Sequence, residues 1–203
     1  VIQSQGNWLK VELTSDGYSG WADKKQLSAI TENIHEPENR ISCDPIAVAK
    51  NKKTGHLMWI AAGSFLPNYA EGEFSVQEGN YVFNGQVRKL TDRMQPAETI
   101  EWAMRCIGSP YLWGGRTMMG FDCSGFTQLL LKLAGIQIPR DASQQAESGN
   151  PIHDISATRP GDLAFFHNAE GVITHVGMMI DAGTIVHASG WVRVDPVDNK
   201  GIR

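Results

Sequence analysis

Pro96 divides the chain into two kinds of sequence, and that division limits the possible folds more than any other feature. Before it, apolar residues come in short runs broken by turn formers. "NWLKVEL" alternates Trp8, Lys10 and Glu12 against Leu9, Val11 and Leu13, the period of a half-buried strand. "SDGYSGW" follows with Asp16-Gly17 as a hairpin turn and Tyr18 and Trp21 as strand aromatics. "HLMWIAAGSFLPNY" and "SVQEGNYVFNG" read as further short strands, punctuated by Gly63, Pro67, Gly79 and Gly85. Short strands at this spacing predict small barrels or sandwiches over residues 1–95.

After Pro96 the period changes. "PAETIEWAMRCIG" opens on a proline, carries Glu98 and Glu101 early and ends at Gly108, which predicts a helix. Ile100, Met104 and Ile107 fall on one stripe of it and are its expected buried face, with Cys106 as a packed thiol. "CSGFTQLLLKLAG" predicts a second helix stopped by Gly135, and "RDASQQAESG" a short third. "GDLAFF", "ITHVGMMID" and "TIVHAS" read as three strands, closed by "WVRVDPV". Helices followed by antiparallel strands give an α+β class for this part.

Composition narrows the function classes. With 41% hydrophobic and 20% charged residues among 203, the chain is globular in type. Its net charge of -4 is spread along the sequence, so it offers no basic face and nucleic acid is not an expected partner. The longest nearly apolar run, 126–136, is broken by Gln128 and Lys132 and is too short for a transmembrane segment. "VIQSQGNWLKVEL" has no basic start, apolar core or cleavage site, so no signal peptide is read in it. Cys43, Cys106 and Cys123 leave at least one unpaired thiol, and their spacing suits neither a disulfide framework nor a Cys-x-x-Cys zinc site.

Cys123 is the thiol whose surroundings need a reason. It stands between a loop holding Gly114, Gly115 and Gly120 and the start of the second helix. A helix N-terminus offers free amide donors and a positive dipole end, which favour a thiolate below the free value of roughly 8.5. Asp122 suits the capping position, while Ser124 and Gly125 leave room around the sulfur. A thiol nucleophile needs a base, and the base an orienting partner. His175 and His187 lie on two strands joined by a turn at Asp181–Gly183, a hairpin that brings them close to facing each other. The residues alone permit two readings: a Cys–His–His constellation for acyl transfer, or a buried thiol beside two satisfied strand histidines. A zinc site of Cys123, His175 and His187 is disfavoured because the three contain no close pair. No metal or cofactor is expected.

"GSPYLWGG", "FDCSGF", "IPRDASQQ", "RPGDLAFF", "THVGMMI" and "IVHASG" occur in the order shown by NlpC/P60 cysteine peptidases, and the sequence resembles that family over roughly residues 96–195. The resemblance implies a papain-like α+β core in which the helix bearing the nucleophile packs on an antiparallel sheet. It implies Cys123 as nucleophile, His175 as base and His187 as third polar member. It also places Tyr111, Trp113, Asp122, Ser124, Arg140, Asp141 and Ser143 in the substrate cleft, with Arg140 as the candidate cation for substrate carboxylates. "GNWLKVELTSDGYSGWADKKQL" is similar to the closing half of a bacterial SH3 domain. The expected domains are therefore 1–30, the end of a first SH3-like barrel lacking its opening strands; 31–92, a second, divergent barrel; and 93–203, the peptidase.

What the family cleaves implies a function. Its members act on the γ-D-glutamyl–diaminopimelate or γ-D-glutamyl–lysine bond, so peptidoglycan stem peptides or free muropeptides are the expected partners. SH3-like parts combined with an "RDAS" segment resemble the members that require a free N-terminal L-alanine and release L-Ala-γ-D-Glu. In those members an acidic or aromatic group from the SH3-like part receives the amine, and Asp141 is expected to help. The rivals are an amidase cutting the glycan–peptide link and a non-catalytic wall-binding protein. Export to the periplasm or envelope is expected ahead of a cytoplasmic recycling role. His35, His56 and His153 are expected to be exposed, and His167 is a third histidine near the strand set.

Overall fold

The computed structural model describes residues 1–29, 40–77 and 79–203. The expected boundary at 30/31 and His35 lie outside the described residues. The chain forms two compact units, Val1–His35 and Glu36–Arg203.

The first unit is a three-stranded antiparallel sheet of β1 (Gln3–Gln5), β2 (Trp8–Glu12) and β3 (Ser19–Asp23). The hairpin between β2 and β3 turns at Gly17, whose φ of 69° is the left-handed conformation that glycine adopts without a Cβ clash. Asp16 accepts from the Tyr18 N–H at 3.1 Å and closes the turn.

The second unit opens with β4 (Arg40–Ser42), β5 (Ile46–Asn51), β6 (Leu57–Ala61), β7 (Glu73–Val76), β8 (Gly79–Phe83) and β9 (Val87–Lys89). β4 pairs with β9, and the others form a four-stranded sheet in the order β6-β5-β8-β7. Ala49, Ile60, Leu66, Phe74 and Phe83 make its core, with Phe74 stacked on Tyr81 at 5.1 Å between ring centres. β5 carried no recognised signal in the sequence, because "IAVAKN" combines a short apolar run with a polar end.

The helices follow as α1 (Pro96–Met104), then the two-residue strands β10 (Arg116–Thr117) and β11 (Gly120–Phe121), α2 (Cys123–Leu133) and α3 (Ala142–Ala146). β12 (Leu163–His167), β13 (Ile173–Asp181), β14 (Thr184–Ser189), β15 (Trp191–Asp198) and β16 (Gly201–Ile202) form an antiparallel sheet in sequence order. Alternation puts Met178 and Val186 on one face and Met179 and Ile185 on the other. The first face packs on Phe126, Leu129, Leu130 and Leu133 of α2, and the second on Phe166 and Val197.

Of the expected buried face of α1, Ile100 packs against the core and Cys106 is the buried thiol expected, but the rest of the stripe is corrected. Met104 and Ile107 are 45% and 44% exposed, while Thr99, Trp102, Ala103 and Cys106 turn inward. Trp102 is the reason: it is the largest apolar group on the helix, and its indole N–H finds a half-buried acceptor in the Cys43 carbonyl at 3.0 Å. That bond also crosses the expected boundary at 92/93. The main core joins Ile41, Ala62 and Leu90 to Trp102, Leu129, Leu130 and Leu133, so residues 40–90 and the helices share one interior.

Candidate active site

Cys123 is the first residue of α2, and the local sequence holds it there by one carboxylate. Asp122 caps the helix, accepting from the Gly125 N–H at 2.6 Å. The same carboxylate accepts from the Gly114 N–H at 2.9 Å, from the Ser124 hydroxyl at 3.4 Å and from the Arg140 guanidinium at 2.5 Å. Asp122 therefore ties the glycine loop, the helix start and the segment before α3 into one knot. Gly125 lets the knot close, since a Cβ there would lie 2.1 Å from the Gly115 carbonyl oxygen.

Arg140 is placed otherwise than expected. Its guanidinium is buried, ion-paired with Asp122 and donating to the Ser124 Oγ at 2.8 Å, so it is no open cation for substrate carboxylates. Burial drove this outcome, because a guanidinium shut away from water must find a carboxylate partner. Gln145 of α3 extends the network, donating to the Ser124 and Pro139 carbonyls and accepting from the Thr127 hydroxyl.

The two histidines meet across the β13–β14 hairpin. His187 stands opposite Gly177, with His175 one pleat further along β13. The His175 Nε2 lies 2.7 Å from the His187 Nδ1, with the rings edge-on at 4.9 Å. Gly177 makes the approach possible, since a Cβ there would fall 2.7 Å from the His187 Cβ. The Cys123 thiol lies against the backbone N–H of Val176, the residue after His175, which places it beside the histidine pair.

Charge in the site departs from expectation. Burial raises the Cys123 thiol above its ordinary value, and the nearby Asp122 charge adds to this; hydrogen bonds from the Val176, Ser124 and Cys123 backbone oppose it without prevailing. Burial, then the neighbouring His187 and Arg193 charges, bring the His175 imidazole down to about 4. At neutral pH the resting pair is thus a thiol beside a neutral imidazole, rather than the thiolate that helix position alone predicts.

Of the remaining residues expected in the cleft, Tyr111 is half-buried ahead of the helix, and burial followed by the Cys123 and Asp122 charges raises its phenol, keeping it protonated. Trp113 is 86% exposed. Asp141 precedes α3 but makes no side-chain cap bond, and both it and Ser143 are exposed. His56, His153 and His167 are exposed, His167 bonding the Asn168 carbonyl.

Asp195 stands outside the residues singled out from the sequence. Its Oδ2 lies 2.9 Å from the His187 Nε2 and accepts from the Arg193 Nε at 2.7 Å. The alternation of "WVRVDPV" puts Arg193 and Asp195 on one face, but only the β14–β15 register brings that face to His187.

The NlpC/P60 family model matches residues 108–203. The γ-D-glutamyl-L-lysine dipeptidyl-peptidase of Bacillus subtilis is 33% identical over 93% of this chain and 68% of its own length. The protein of the same name from Bacillus cereus is 29% identical over 99% of this chain and 68% of its own. The crystal structure of a Bacillus cereus NlpC/P60 family protein superposes with a TM-score of 0.87 at 26% identity, covering 97% of this chain and 73% of the other.

Proposed function

The chain belongs to the NlpC/P60 family and is a cysteine peptidase, and on that footing we propose that it hydrolyses the γ-D-glutamyl–diamino acid bond of peptidoglycan-derived peptides. The observation that carries the reading is the His175–His187 hydrogen bond beside a thiol at the first turn of α2. That geometry supports Cys123 as nucleophile, His175 as general base and acid, and His187 as the group that holds His175.

His175 Nε2 is engaged with His187, so Nδ1 is the nitrogen left to take a proton. As the Cys123 sulfur attacks the γ-carbonyl, its proton passes to that nitrogen. The tetrahedral oxyanion is stabilised by the Cys123 backbone N–H at the helix start and the Tyr111 hydroxyl. His175 then protonates the diamino acid amine as the C–N bond breaks, leaving a thioester. Water attacks the thioester with His175 as base, releasing the acid and restoring the thiol.

The substrate end follows from the relatives, two of which are named as γ-D-glutamyl-L-lysine dipeptidyl-peptidases. We read this chain as requiring a free N-terminal L-alanine and releasing L-Ala-γ-D-Glu. The exposed Asp141 carboxylate, not spent on a helix cap, is the group proposed for the ammonium. The strand-rich residues 1–29 and 40–90 are read as SH3-like parts, and an exported location suits wall peptides. Among the described residues no helix is long and apolar enough to cross a membrane.

The test is product mass spectrometry with L-Ala-γ-D-Glu-L-Lys and its diaminopimelate counterpart, each with and without N-acetylation. L-Ala-γ-D-Glu should appear from the free peptides alone. A comparable rate on acetylated peptides overturns the amine requirement, and cleavage at another bond overturns the substrate reading.

A further inference from the structure

We propose that Asp195 is a positioning residue that acts through His187 to fix which ring nitrogen of His175 receives the thiol proton. The proposal rests on the reading of Cys123 and His175 as the reacting pair.

The argument begins with burial. His187 is 1% exposed, so both of its ring nitrogens must find partners inside the protein. Nε2 lies 2.9 Å from the Asp195 Oδ2, and Nδ1 lies 2.7 Å from the His175 Nε2. A carboxylate can only accept, so the His187 Nε2 carries a proton and donates it. In a neutral ring the other nitrogen is then an acceptor, and the His175 Nε2–H is the donor it receives. The His175 lone pair is thereby confined to Nδ1. The opposite assignment would set the His187 Nε2 lone pair against the carboxylate, two acceptors facing each other in a buried place. One anion at the far end of the chain thus dictates the tautomer of both rings.

The strand geometry holds that anion still. On β15, Arg193 stands directly opposite His187 and Asp195 opposite Ile185, so the carboxylate reaches His187 diagonally along one face. The Arg193 Nε donates to the same Oδ2 at 2.7 Å, and its guanidinium lies 5.3 Å from the centre of the Trp191 ring on that face. Burial works against the Asp195 charge, but the hydrogen bonds from His187 and Arg193 outweigh it and hold the carboxyl below its usual range. It stays an acceptor throughout the range in which such an enzyme works. The Arg193 charge also reaches His175, and the Cys123 thiol meets the Val176 backbone N–H next to that histidine, with the Asp122 charge near the thiol. β12 presents the Phe166 ring, 5.9 Å from His175, and ends in the exposed His167.

Asp195→Ala and Asp195→Asn in the full chain test the role, read by ring 15N NMR of the histidines and by the pH profile of kcat/KM. In the unaltered protein both His175 and His187 should carry the proton on Nε2 at neutral pH. Asp195→Ala should mix the tautomers and lower kcat about 10- to 100-fold, with KM little changed. Asp195→Asn keeps the shape and an acceptor oxygen while removing the charge. It should therefore retain more activity but move the acid limb of kcat/KM to lower pH, because an imidazolium loses its nearby anion. If the alanine variant does not fold, the asparagine variant decides alone. Unaltered tautomers and an unaltered pH profile in Asp195→Asn overturn the proposal. The NMR readout uses no substrate. A chain with Asp195-dependent tautomers that cleaves no wall peptide would overturn the substrate reading and leave this one standing.

Discussion

At the residue scale, Cys123 and His175 both rest uncharged, and each consequence of that can be measured. The folded His175 titrates near 4, against an ordinary value of about 6.5 in an unfolded chain. Between those values the unfolded state binds a proton that the native state does not, so stability falls as pH drops through the window. Denaturation midpoints taken at pH 7, 5.5 and 4 should decline, and His175→Gln should flatten the decline. The same depression puts the acid limb of activity well below pH 6.5. Cys123→Ala and His175→Ala should each reduce turnover by about 1000-fold or more while near-UV circular dichroism keeps its native form. Retained turnover in either removes the assigned roles. The sequence offered these residues as local signals, a thiol at a helix start and two histidines flanking one turn, but those signals left two readings open and the NlpC/P60 resemblance chose the catalytic one. The protonation state of the thiol was not legible there, because burial is a tertiary property and here it exceeds the pull of the helix end.

At the element scale, the start of α2 is a knot of separate segments, and only part of it could be read from the sequence. The cap at Asp122 and the need for glycine in the loop followed from residue type and position. The ion pair to Arg140 did not, because the partners lie eighteen positions apart and only α3 packing on α2 brings them together. Breaking such a buried pair leaves a carboxylate uncompensated, so Arg140→Met should cost about 3–5 kcal/mol in chemical denaturation. Asp122→Asn added to it should recover part of that loss. If Arg140→Met proves neutral, the pair contributes nothing to the helix start. Gly125→Ala tests the same knot by shape: its methyl would meet the Gly115 carbonyl at 2.1 Å, for a cost of roughly 1–3 kcal/mol. The α1 face shows the limit of periodicity. Two stripes of that helix were apolar enough to bury, and the tie between Trp102 and the Cys43 carbonyl selected the one that periodicity alone did not.

At the scale of the whole molecule, the β-rich residues 40–90 and the α+β part behave as one unit because they share side chains rather than a linker. Ile41 is fully buried and sits in the same core as Leu130 of α2 and Val186 of β14. The Met94 N–H donates to the Ala134 carbonyl at 3.4 Å, and Lys132 of α2 lies 4.2 Å over the Phe65 ring. The change of period at Pro96 marked where strands give way to helices, yet it carried no information about which apolar residues would meet across it. A shared core makes a stability prediction that separate domains would not. Ile41→Ala removes buried methyl groups some eighty residues from Cys123 and should cost about 2–5 kcal/mol. The loss should appear as an earlier single transition, coincident by far-UV circular dichroism and by alkylation of the newly exposed Cys106 thiol, which burial otherwise holds at about 12. Two separated transitions, with Cys106 still protected after the first, would mean that residues 40–90 unfold alone and that the common core is not cooperative.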